Sequence, residues 1–144
     1  MALKRRSVNK TTSIQYSGGF AGIPRVVLET EDFRGLSSSA KTVLLYLAYQ
    51  YRGKNNGDLS APHSRLKEWS IGSKTTLKKA LDELQEARMI VLTRSPRFLN
   101  PGGRCALYAL TWQPINECNG KLEVEPTARP LRKFTQEGSK TPNK

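Results

Sequence analysis

The sequence predicts an α+β fold: a short strand, three helices and a C-terminal β-hairpin, set between two extended polar ends. Three observations carry this. Ala40 to Tyr51 and Leu77 to Ala87 repeat apolar residues at intervals of three and four, each run following serines suited to cap a helix. Met89 to Trp112 holds two apolar runs around a loop with two prolines and two glycines, the pattern of a hairpin. A hydrophobic fraction of 37% in 144 residues suffices for one modest core and excludes a wholly disordered chain.

Residues 1–19, rich in Ser, Thr, Asn, Lys and Gly, are expected as a flexible basic arm, and the folded domain as residues 20–112. Arg25-Val26-Val27-Leu28-Glu29 is short and β-branched and is a strand candidate bounded by Pro24. Thr30-Glu31-Asp32-Phe33 suits one helical turn, with a capping residue followed by acids. Ser37 or Ser38 caps the first helix, whose stripe is Ala40, Val43, Leu44, Leu47, Ala48 and Tyr51. Gly53 to Asp58 ends it as a turn.

A second helix is expected over Ala61 to Ser70, capped by Ser60 with Pro62 in its first turn and Leu66 and Trp69 facing inward. Ser70-Ile71-Gly72 turns into a third helix, capped by Ser73, with Leu77, Ala80, Leu81, Leu84 and Ala87 inward. Met89–Thr93 and Cys105–Trp112 are the hairpin strands, and alternation predicts a buried Cys105. Residues 113–144 hold four of the eight prolines and form a C-terminal extension, docked around Leu122 and Val124 and loose beyond Phe134. Its apolar residues Ile115, Leu122, Val124, Leu131 and Phe134 are too few for a separate core. They pack either back onto the domain or onto a second copy, the latter making a homodimer.

Charge narrows the partners. Lys and Arg number 24 against 12 Asp and Glu, a net +12, which suits a phosphate-rich partner. Residues 37–112 hold twelve Lys and Arg against five acids, a net +7. No apolar run approaches the roughly 18 residues of a membrane span, so no integral membrane protein is expected. The basic N-terminus lacks the apolar stretch of a secretory signal, and two cysteines make no disulfide framework; both suit the cytoplasm.

One histidine, His63, and two cysteines are too few for a zinc finger or a paired-histidine metal site. No constellation of carboxylates and histidines suggests an enzyme, and neither a metal nor a cofactor is expected. Gly72-Ser73-Lys74-Thr75 lacks the spacing of a phosphate-binding loop and follows no strand, so it reads as a turn and helix cap.

Leu36-Ser37, Ala40-Lys41, Val43-Leu44 and Leu47, followed by Thr75 to Leu81, Leu84, Ala87 and Met89-Ile90, resemble the winged helix-turn-helix family. The variety is that of bacterial, plasmid and phage replication proteins and transcriptional regulators, and the likeness covers about residues 33–112. The resemblance implies a third helix in the DNA major groove, with the hairpin as a wing along the neighbouring backbone or minor groove. Where the family commonly has Gly before the last hydrophobic pair, this chain has Arg88, at a cost of about 1 kcal/mol if the left-handed turn is kept.

The expected DNA contacts follow. Ser73, Lys74, Thr75, Lys78 and Lys79 occupy the start of the third helix, with Lys74 and Thr75 at base edges. Arg94, Arg97 and Arg104 flank an acid-free wing loop suited to gripping phosphates. Arg65 and Lys67 on the second helix, and Lys4, Arg5 and Arg6 in the arm, add phosphate contacts. A plain solvated helix face and an ordinary hairpin loop are the competing readings. The expected function is sequence-specific binding of double-stranded DNA by a transcriptional regulator of a bacterial mobile element or phage. A replication-initiation or plasmid-maintenance protein, or a winged-helix adaptor for protein or RNA, is the alternative.

Overall fold

The computed structural model describes residues 13–99 and 102–134. It is an α+β structure. Among the described residues, five helices, α1 (Arg25–Leu28), α2 (Glu31–Arg34), α3 (Ser38–Gln50), α4 (His63–Leu66) and α5 (Lys74–Glu86), precede strands β1 (Ile90–Arg94) and β2 (Leu107–Leu110), which pair antiparallel.

The core forms where α3 and α5 pack together. Ala40, Val43, Leu44 and Leu47 on α3 and Leu77, Ala80 and Leu84 on α5 are buried, as their helical spacing requires. Both helices begin at serine caps: Ser37 Oγ accepts from the Ala40 N–H at 3.1 Å, and Ser73 Oγ from that of Thr76 at 3.1 Å. Thr30 caps α2 in the same way, accepting from the Phe33 N–H at 3.0 Å. The Glu83 carboxylate on α5 reaches the start of α3, accepting from the Ser37 N–H and hydroxyl at 2.7 Å each. An anion there also complements the positive end of the α3 dipole.

Residues Arg25–Leu28 form a helical turn and not the expected strand. Pro24 sits at its N-cap with φ −59°, and its carbonyl accepts from the N–H groups of Val27 and Leu28. The Thr30 hydroxyl then closes the turn on the Val27 carbonyl at 2.8 Å. Only Val27 is fully buried, and one turn achieves this without a strand partner. Local hydrogen bonds override a β-propensity that is mostly a matter of context.

The second expected helix is shorter than Ala61 to Ser70. Pro62, at the N-cap, ends the extended approach, and a single α-turn passes into a 3-10 turn over Lys67–Trp69. Ser60 does not cap it; its backbone pairs with the Gln50 side chain in both directions, at 2.7 and 3.1 Å. Trp69 is half-buried, edge-on to buried Tyr46 at 5.0 Å, while Tyr49 beside it stays exposed.

In the hairpin, Ile90 pairs with Leu110 and Leu92 with Tyr108, and the register then slips at Thr93. All four β2 residues are buried, and Leu59 bridges to Tyr108 along the edge away from β1. Past the slip the arms leave the core, which is why Cys105 is exposed and not buried as expected. Arg88 does take the left-handed conformation (φ 56°) before Met89-Ile90, and the Thr111 hydroxyl braces its carbonyl at 2.8 Å.

Residues 113–134 fold back along their own domain. Ile115 is buried and Phe134 packs against Trp112, whereas Val124, expected to dock, remains exposed. Arg132 stacks over Phe134, pairs with Asp32 at 2.6 Å and donates to the Ala87 carbonyl at 2.8 Å, capping the end of α5. The apolar residues on which a homodimer was to form are thus partly spent within one chain. Asn56, fully buried, joins the 53–58 turn to the end of β2 and to this segment. Its neighbour Gly57 takes φ +117°, a conformation that strains any L side chain, and a Cβ there would displace Leu122 Cδ1, 2.6 Å away.

Candidate nucleic-acid interface

Two elements bring exposed cations forward: the first half of α5 and the hairpin beyond the register slip. The turn before α5 sets how that helix is presented. Ser70 adopts the left-handed conformation (φ 70°), the Ile71 N–H reaches back to the Leu66 carbonyl at 3.0 Å, and the Ile71 side chain enters the core. His63 Nε2 lies 3.2 Å from the Ile71 carbonyl oxygen, so it carries the hydrogen and donates. The lone histidine braces the α4–α5 turn.

With its rear face in the core, α5 exposes Lys74, Thr75, Lys78, Lys79 and Asp82. These five line one open, shallow depression of about 450 Å³. Ser73 is exposed but occupied as the cap. Lys78 pairs with Asp82 at 3.1 Å; both side chains are more than half exposed, so the pair is worth little and yields readily to a stronger anion. Of the acids further along α5, Glu83 is engaged with Ser37. The leading face is therefore more basic than the helix composition suggests.

The hairpin departs from expectation. Its loop was to present three unopposed arginines, but Glu123 in the C-terminal segment lies against it. The Glu123 carboxylate accepts from the Ser95 N–H at 2.9 Å and forms an ion pair with Arg104. The Ser95 N–H bond, then the Arg104 guanidinium, holds its carboxyl below the ordinary glutamate value. Arg104 also donates through Nε to the Ser95 carbonyl at 3.0 Å, and Arg94 spans the hairpin to the Cys105 carbonyl at 2.8 Å. Two of the three arginines thus stiffen the hairpin itself. Arg97 is exposed and makes no ion pair among the described residues. No local signal in the sequence points to Glu123, since it lies 28 residues beyond Ser95.

Arg65 and Lys67 are both exposed, on α4 and the 3-10 turn that follows. Lys4, Arg5 and Arg6 lie outside the described residues. No cluster of three His, Cys, Asp or Glu among the described residues is placed to hold a metal ion. No helix among them is long and apolar enough to cross a membrane. The groups exposed here are cations, hydroxyls and backbone, which can pair with an anion.

Compared with protein-family models, curated proteins and solved structures, the chain matches none.

Proposed function

We propose that this chain is a sequence-specific double-stranded DNA-binding protein of winged helix-turn-helix type, acting as a transcriptional regulator. The observation that supports it best is the exposed basic start of α5, Lys74, Thr75, Lys78 and Lys79, on a helix whose other face is locked into the core. Lysines at a helix N-terminus oppose its dipole. Phosphates offset that cost, whereas a merely solvated face has no reason to bear it.

In this reading α4, its turn and α5 are the helix-turn-helix and the β1–β2 hairpin is the wing. Lys74 and Thr75 meet base edges in the major groove, while Lys78 and Lys79 reach bases or phosphates. Arg97 grips backbone, with Arg65 and Lys67 flanking. Arg94 and Arg104 shape the wing first, and Lys4, Arg5 and Arg6 extend the grip from the arm.

Selection of bound duplexes from a randomised pool tests this. One short enriched site is expected, with Lys74→Ala and Thr75→Ala narrowing the gap between specific and random DNA. Arg97→Ala should weaken both about equally. A bound pool without enrichment would remove the regulator reading and leave a non-specific binder.

A further inference from the structure

We propose that the hairpin tip carries an apolar wedge, Phe98 with Leu99, which enters the minor groove of duplex DNA, opens a base step and bends the helix. This rests on the DNA-binding reading above and adds an activity to it.

Phe98 is 91% exposed and Leu99 65%, so neither side chain has a place in the fold. The base on which they stand is nevertheless well held. Arg97 and Arg104 exchange both backbone hydrogen bonds at 2.9 Å, directly beneath the tip. The Arg94, Arg104 and Glu123 side chains clasp the arms one step further down. The returning arm is kept close by Gly103, where a Cβ would lie 2.8 Å from the Leu99 carbonyl oxygen and 3.3 Å from that of Arg97. An exposed aromatic on a braced hairpin is presented to something outside the chain.

Charge and size select the partner. The apolar pair stands beside Arg97, which makes no ion pair among the described residues, while Arg104 is paired with Glu123 and Arg94 with the Cys105 carbonyl lower on the hairpin. A partner must therefore combine a narrow apolar slot with flanking negative charge. A protein surface needs about 800 Å² from each side for a specific complex, whereas one aromatic supplies about 150–250 Å². The space between two base pairs, bordered by phosphates, matches both requirements. Apolar side chains inserted there unstack the step and kink the duplex towards the major groove. Pyrimidine–purine steps open most readily, so the wedge selects for flexibility at a position no side chain reads by hydrogen bonding.

The test uses the full chain and a duplex of about 30 base pairs with a central TA step. Fluorophores at its ends report bending, and 2-aminopurine at the step reports unstacking. Wild type should raise both signals. Phe98→Ala should abolish both and weaken binding about tenfold, with the salt dependence unchanged because no charge is lost. Phe98→Trp should retain both signals, and Arg97→Ala should lower the salt slope by about one. Binding without either signal, or a Phe98→Ala protein that bends DNA as wild type does, overturns the wedge and leaves DNA binding standing. Failure of wild type to bind any duplex overturns both readings. Light scattering that shows self-association of wild type lost in Phe98→Ala assigns the tip to a second copy and overturns the wedge.

Discussion

Asn56 has no exposed surface, yet its side chain meets four backbone groups: the carbonyls of Leu110, Gln113 and Pro114 at 3.0 Å each, and the Leu110 N–H at 2.8 Å. Its backbone N–H donates to the Asn116 side chain at 2.8 Å, and the Cys118 thiol lies 3.6 Å from its carbonyl oxygen. Burial pushes that thiol above its ordinary value, which keeps it protonated to donate to the carbonyl. Asn56→Ala removes the partners of several buried groups at once, each costing about 1–3 kcal/mol when left unpaired. A loss of about 3 kcal/mol or more in urea unfolding is expected, and a loss under about 1 kcal/mol would show that water substitutes freely for the amide. In the sequence this residue is one polar letter in the turn Gly53 to Asp58. Only the chain 54–58 residues further on reveals what it holds.

At the scale of elements, what is encoded within a few residues was legible and what is encoded across the chain was not. The Ser37 and Ser73 caps and the stripes of α3 and α5 all depend on neighbours within about one turn. Arg25–Leu28 suggests a strand by composition, yet a β-branched run is equally compatible with one proline-started turn. Glu83 capping α3 and Glu123 clasping the hairpin join residues 46 and 28 apart, and no periodicity announces such pairs. The Glu123 clasp has a pH signature. Because its folded carboxyl lies below the ordinary value of 4.5, the contact is intact above that pH and is lost as pH falls through the lowered value. Amide exchange at Ser95, corrected for its intrinsic rate, should show protection at neutral pH that disappears in acid. Glu123→Gln should weaken that protection and remove its step in acid; an unchanged step in that variant would place the titrating group elsewhere.

For the whole molecule, three features of the composition point one way: a net +12, a central stretch with twelve cations against five acids, and acids drawn into internal contacts. The C-terminal segment contributes to the last of these, and its position on the domain was only partly legible. Ile115 docks where an apolar residue should, but Val124 does not. What lets a buried Ile115 and a half-buried Leu122 settle there is the bare backbone of Gly57. We propose that this charge is organised to meet the phosphates of duplex DNA. The most direct test of this claim is the affinity of the full chain for a duplex, titrated with salt. With about four to six phosphates neutralised, log affinity should fall linearly with log salt, losing about a hundredfold or more between about 50 and 200 mM. An affinity that stays level across that range would contradict the claim, whatever its magnitude.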